Sequence, residues 1–151
     1  MSYELRDHTA DVAVAATGPT LDAVFAAAGD GMAAAMCDEI PEERGERFDF
    51  EVEAESREAL LFDYLDQLIY ERDVRAVLPV DNDADVSEAT GGDGGHGASD
   101  GDTPDAWRVK ASARGVPLGD ISAREIKAVT YSEMVLEETD EGWEAYVVLD
   151  V

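Results

Sequence analysis

The chain has 151 residues, 45% of them hydrophobic, and 36 acids against 11 bases give it a formal net charge of −25. No apolar run approaches the roughly 18 residues that span a membrane, the single Cys37 excludes an internal disulfide, and a strongly acidic surface argues against direct nucleic-acid binding through a basic face. The acids are spread over the whole chain and only Lys110 and Lys127 are lysines, which points to a surface adapted to a high-salt cytoplasm, where a screening length of about 3 Å makes self-repulsion tolerable.

The length supports one domain around one core. The opening Met1-Ser2-Tyr3-Glu4 lacks the basic-then-apolar layout of a signal peptide, so a cytoplasmic location is expected. After Arg6-Asp7-His8-Thr9-Ala10-Asp11, the apolar run Val12–Ala16 reads as an N-terminal strand. Leu21, Val24, Phe25, Ala28, Met32 and Ala35 recur at helical spacing behind Thr20, a suitable N-cap. Gly29 and Gly31 weaken that helix or admit a close neighbour. Next comes a strand with Phe48, Phe50, Val52 and Ala54 on one face and Asp49, Glu51, Glu53 and Glu55 on the other. Leu60, Leu61, Tyr64, Leu65, Leu68 and Ile69 make a second amphipathic helix behind Ser56, and Val74–Val80 reads as a short strand.

Residues 81–105 hold eight acids and no base, with glycines clustered at 91–95. Such a segment buries too little apolar area to order itself, and it reads as a flexible acidic insertion. Its alternating acids suggest a calcium loop, but Val86 stands where that loop needs glycine and Gly92 where it needs a bidentate glutamate. His96 lies alone within it. Beyond the insertion, Trp107, Val109, Ala111 and Ala113 alternate with Arg108, Lys110, Ser112 and Arg114. That basic face suits pairing with the acidic face of the 48–54 strand; a nucleic-acid role for the same bases is the alternative. Residues 125–139 and 142–150 read as a hairpin turning at Asp140-Glu141-Gly142. The sum is a single α+β domain, an antiparallel-rich sheet with two amphipathic helices packed on it.

The chemistry gathers at the two ends of the chain. Val147-Val148-Leu149-Asp150-Val151 closes an apolar strand on an aspartate and a main-chain carboxylate. If that end is buried, the paired charges need a cation, a basic side chain or a metal; if it frays, they are simply solvated. Should the first and last strands be neighbours, Asp11, Asp150 and Val151 meet at one sheet end. An all-oxygen anionic site suits Ca²⁺, Mg²⁺ or Mn²⁺ and not zinc. His8 is either a further ligand or a hydrogen-bonded structural histidine, Thr9 a turn residue, and Lys127 a cationic neighbour. No phosphate-cradling glycine loop, nucleophile elbow, CxxC or HExxH is present.

Asp7-His8-Thr9-Ala10-Asp11, the helix from Leu60-Leu61-Phe62-Asp63-Tyr64-Leu65 to Ile69-Tyr70, Ile126-Lys127-Ala128-Val129-Thr130-Tyr131, and the closing Leu149-Asp150-Val151 together resemble the archease family over residues 3–80 and 106–151. The lysine-poor, acid-rich form resembles a haloarchaeal variant. The resemblance implies a non-enzymatic protein cofactor of the RNA-splicing tRNA ligase, which joins a 2′,3′-cyclic phosphate or 3′-phosphate end to a 5′-hydroxyl. It implies promotion of that ligase's GTP-dependent guanylylation and multiple turnover, with GTP reached through the ligase and no membrane partner. It makes Asp11, Asp150 and Val151 a metal site, with Ca²⁺ favoured and Mg²⁺ or Mn²⁺ as alternatives, and it makes Lys127 and His8 candidates at the ligase interface. Ser132 departs from the pattern, where members usually carry histidine. Two other readings remain at this stage, a metal-dependent phosphoesterase or nucleotide hydrolase and a general chaperone-like module.

Overall fold

A computed structural model describes residues 2–8, 11–89 and 106–150, with the side chains of 4–8, 11 and 132 left aside. Strands β1 (Ser2–His8) and β2 (Asp11–Gly18) lead into helix α1 (Leu21–Met36), then strand β3 (Glu46–Ala54) and helix α2 (Arg57–Arg75). Strands β4 (Val77–Ala89), β5 (Ala106–Pro117), β6 (Ala128–Thr139) and β7 (Gly142–Asp150) follow, with a short 3₁₀ turn at Leu118–Asp120. All pairings among the described residues are antiparallel. The expected α+β arrangement is present, and its strands divide into a four-stranded sheet in the order β1-β2-β7-β6 and a three-stranded sheet in the order β3-β5-β4.

Both helices start where the sequence places them. Thr20 and Ser56 accept hydrogen bonds from the Ala23 and Ala59 amides, each at 3.1 Å, satisfying donors that the first turn leaves free. Helix α1 packs on β2 of the larger sheet and on β4 of the smaller, while α2 packs on β3 and β6. Because α1 meets a sheet on two sides, its buried positions run almost all round it, a pattern broader than a one-sided amphipathic stripe. Tyr64, Phe25, Met32 and the α2 leucines 60, 61, 65 and 68 fill the core. At the rim, the Arg57 guanidinium lies 5.3 Å from the Trp107 ring centre and 5.2 Å from that of Trp143, bridging the two sheets. No described helix is long and apolar enough to cross a membrane.

The insertion expected over 81–105 does not begin at 81. Residues 81–89 continue β4: after a bulge at Asp81 and Asn82, pairing with β5 resumes from Asp83 opposite Ser112 to Ala89 opposite Ala106. The acids that looked disordering alternate outward, while Asn82 and Ala84 are buried, and Lys110 and Arg108 of β5 stand opposite Asp85 and Ser87. Residues 90–105, with His96, lie outside the described residues, as do Thr9 and Val151. The predicted pairing of acidic and basic faces holds. Arg108 reaches Glu51 at 2.9 Å and Glu53 at 2.6 Å across the β3–β5 pair, which raises the guanidinium's affinity for its proton through the Glu53 hydrogen bond first. The hairpin turn at Asp140-Glu141 is also as predicted, with Gly142 at φ 134°, a conformation that glycine accepts without steric cost.

Candidate functional site

The fold brings the two chain ends together. Strand β2 lies between β1 and β7, and the register sets His8 opposite Asp11, Asp11 opposite Asp150, and Asp150 opposite Ala128. One row across the larger sheet thus joins four segments that are far apart in sequence. Directly opposed residues are the nearest cross-strand neighbours in an antiparallel pair, and like charges there repel. Asp150 is exposed, while Val148 and Leu149 before it are 3% and 0% exposed. The carboxylate therefore stands at the edge of a dry patch. The side chains of His8 and Asp11 and the whole of Val151 lie outside the described residues. Among the described residues, no three His, Cys, Asp or Glu side chains gather as a metal-binding group.

Lys127 enters from a segment without regular structure that long-range bonds hold in place. The Arg124 amide donates to the Met36 carbonyl at 2.7 Å, and its guanidinium Nε donates to that of Ala35 at 2.9 Å. Arg124 thereby satisfies carbonyls that the end of α1 leaves free. Ile126 is fully buried, and its carbonyl accepts from the buried Arg72 guanidinium of α2 at 3.1 Å. The Lys127 amide then donates to the Asp150 carbonyl at 2.8 Å. Its side chain is exposed, so the backbone of Lys127 is fixed beside Asp150 while its side chain is open to a partner. The strand expected from residue 125 begins only at Ala128, so Lys127 stands just before it.

The regular alternation of β6 is itself interrupted. Register is lost between Thr130, opposite Val148, and Val135, opposite Tyr146, so residues 131–134 bulge from the edge strand with Glu133 at φ 62°. Tyr131 projects from the bulge and stacks on Phe62 of α2 with ring centres 4.3 Å apart and planes 2° from parallel. Its hydroxyl is held above the ordinary tyrosine range, first by partial burial and then by Asp63, Glu55 and Glu58. Burial, with help from Asp66, likewise raises Asp63. Bulges of this kind re-aim side chains and recur beside functional sites. The position of Ser132 falls in this bulge.

Thr130 adds a residue that the sequence reading quoted but did not single out. Its hydroxyl oxygen is buried and has no hydrogen-bond partner. Thr130 and Ala128 share a face of β6 by the two-residue period of a strand, and Ala128 is the residue opposite Asp150. The available signal was a polar β-branched residue inside an otherwise apolar strand start.

The family model described as "Archease protein family (MTH1598/TM1083)" matches residues 3–151. The chain is 31% identical over 153 residues to the protein archease of Thermococcus gammatolerans, covering 99% of this chain and 98% of the relative. It is 32% identical over 158 residues to that of Methanosarcina mazei, covering 99% and 95%. The solution structure of protein 1598 from Methanobacterium thermoautotrophicum superposes with a TM-score of 0.74 at 28% identity, covering 99% of both chains. The crystal structure of a Thermotoga maritima archease, described as a possible chaperone, has a TM-score of 0.57 at 18% identity over 98% and 96% of the two chains and shares the fold. With a family match across nearly its whole length and the same two-helix, antiparallel architecture, the chain belongs to the archease family.

Proposed function

We propose that this protein is an accessory factor of an RNA-splicing ligase. It speeds the GTP-dependent guanylylation of that ligase and supports multiple turnover in tRNA splicing, and turns over no substrate itself. The observation that supports this reading most is the register that opposes Asp11 to Asp150, beside the exposed Lys127 whose amide is bonded to the Asp150 carbonyl. Two opposed carboxylates are unfavourable unless a cation relieves them. Oxygen donors alone suit a hard divalent ion. Asp11, Asp150 and the Val151 main-chain oxygen would hold Ca²⁺, with Mg²⁺ or Mn²⁺ as substitutes. When bound, the ion supplies positive charge at a surface that is otherwise strongly acidic. Lys127 and His8 then face the ligase, where Lys127 supplies a second cationic group for a phosphate-bearing partner.

The test is the single-turnover rate of ligase guanylylation with labelled GTP. Wild-type protein should accelerate adduct formation, and Asp150→Asn and Lys127→Ala should each remove at least a tenfold share of that acceleration while unfolding at the wild-type midpoint. An unchanged rate with wild-type protein would sink the proposal. A chaperone-like role is the second reading, favoured by the description of the Thermotoga maritima relative as a possible chaperone. It requires protection of unrelated proteins from aggregation, with no sensitivity to Asp150→Asn.

A further inference from the structure

We infer that the open face of the Tyr131 ring, with Asp63, Glu55 and Glu58 around it, is a docking surface for an arginine side chain of a protein partner. The surface lies on the α2 flank of β6. It uses none of Asp11, Asp150 and Val151, so it stands whether or not those residues hold a cation.

Tyr131 is 55% exposed even though one face of its ring lies against Phe62, with centres 4.3 Å apart and planes 2° from parallel. The bulge turns the residue out of the sheet and the stack holds it there, so what stays open is the opposite ring face. A ring face carries the negative part of the aromatic quadrupole, and the charged groups that act on Tyr131 are the carboxylates of Asp63, Glu55 and Glu58. Both features attract a cation and repel a phosphate. An arginine suits them best. Its guanidinium is planar, stacks on an aromatic face, bonds a carboxylate with two parallel donors, and is more weakly hydrated than an ammonium.

Elsewhere the protein fills the same combination of ring and carboxylate with its own arginines. Arg75 lies 4.3 Å from the Phe48 ring centre and bonds Glu71 at 2.6 Å, and Arg57 sits against both Trp107 and Trp143. Among the described residues, no arginine or lysine covers the Tyr131 ring in this way. The cation for that face therefore comes from another molecule. Phe62, Asp66, Tyr70 and Val74 follow one another at four-residue spacing along α2, which makes them neighbours on one side of the helix, and Tyr70 and Val74 are 57% and 61% exposed. From Phe62 to Val74 the stripe spans about 18 Å of helix, long enough to seat a segment of folded chain and longer than a free small ligand needs. A net charge of −25 opposes a second copy of this chain as the occupant and favours a partner with a basic face.

The experiment titrates the full chain in molar KCl with acetyl-Gly-Arg-Gly-amide, and with the lysine and norleucine forms of the same peptide, while NMR follows the ring protons of Tyr131 and Phe62. The arginine peptide should shift both rings saturably in the millimolar range and bind more tightly than the lysine peptide. The norleucine peptide should leave them unmoved. Tyr131→Phe keeps a stacked ring and should bind within about twofold of wild type, whereas Tyr131→Leu should weaken binding about 3- to 30-fold. Asp63→Asn combined with Glu58→Gln should weaken it as well, and that protein decides the matter if Tyr131→Leu does not fold. Equal response to arginine and norleucine, undiminished binding after loss of the ring or of both carboxylates, or no saturable shift in wild type would each overturn the inference. So would a wild-type dimer in sedimentation that Tyr131→Leu abolishes, since the occupant would then be a second copy. None of these readouts uses the ligase, so their failure leaves the accessory role to its own test.

Discussion

Asp30 shows how closely single residues are fitted between the helices and the smaller sheet. Its carboxylate, projecting from α1, accepts hydrogen bonds from the Asn82 amide and side-chain nitrogen, both at 2.9 Å, and the Tyr64 hydroxyl reaches Asn82 Oδ1 at 3.5 Å. Gly29 makes room for the group, because a Cβ there would meet the Tyr64 oxygen at 2.9 Å and Asn82 at 3.0 Å. This is the close neighbour that the helix glycines implied, although nothing local in the sequence named it. Burial holds the Asp30 carboxyl above the ordinary aspartate range, against the Asn82 bonds that lower it. A raised pKa means that the folded state binds the proton more tightly than the unfolded state. Its contribution to stability is therefore complete below about pH 4 and declines as pH rises through the raised value. Asp30→Asn keeps one acceptor oxygen and removes the charge. The urea midpoint of the variant should exceed that of wild type at pH 7.5, and the gap should narrow at pH 4.5 in the same salt. A gap independent of pH would mean that the charge on Asp30 is not what burial penalises.

Among the elements, those defined by local pattern were the legible ones. The two capped helices, the alternating β3 and β5 with their complementary charges, and the β6–β7 hairpin all follow from spacing within a dozen residues. Strand β1 has no comparable local signal, because Tyr3 and Leu5 offer too short an alternation among polar neighbours. The second half of β4 was not legible because the bases beside Asp81 and Asp85, Arg114 and Lys110, lie on β5, far along the chain. The 121–127 segment has no periodicity at all, and its conformation is set by Arg124 bonding the end of α1 and Arg72 bonding the Ile126 carbonyl. For the same reason the meeting of Asp11 and Asp150 at one sheet end was legible only on the condition that their strands are neighbours, since register is a property of several strands together. Arg72, 5% exposed and in contact with Met36 Sδ at 3.4 Å, makes a prediction about this segment. Arg72→Ala leaves a buried carbonyl without its charged donor, a loss of about 2–3 kcal/mol. In a domain of this size that lowers the thermal midpoint by roughly 5–10 °C. Lys127 follows Ile126 directly, so stimulation of the ligase should fall as well, even at temperatures where the variant remains folded. Full stimulation by folded Arg72→Ala would show that Lys127 is positioned by β7 alone.

At the scale of the whole molecule, the topology separates the elements that carry the site from the one connection that varies most in composition. The Asp11–Asp150 row belongs to the larger sheet, while residues 90–105 join β4 to β5 in the smaller sheet. The ends of that connection are already adjacent, because Ala89 and Ala106 are register partners in an antiparallel pair. Two residues suffice to close such a hairpin, and Asn-Gly is the sequence whose backbone preference matches the strand twist. Replacing residues 90–105 with Asn-Gly shortens the connection by about three halvings, each worth roughly 0.6 kcal/mol of closure entropy. The shortened protein should therefore be about 1–2 kcal/mol more stable than wild type by urea unfolding. It also loses Asp93, Asp100, Asp102 and Asp105, which lowers the net negative charge and should reduce the salt needed to hold the fold. If the segment is an insertion without a role in the site, Ca²⁺ affinity and ligase stimulation stay at wild-type values. A shortened protein that folds but no longer stimulates the ligase would instead place residues 90–105 within the partner-binding surface, with an acidic segment from one sheet acting alongside the proposed cation site on the other.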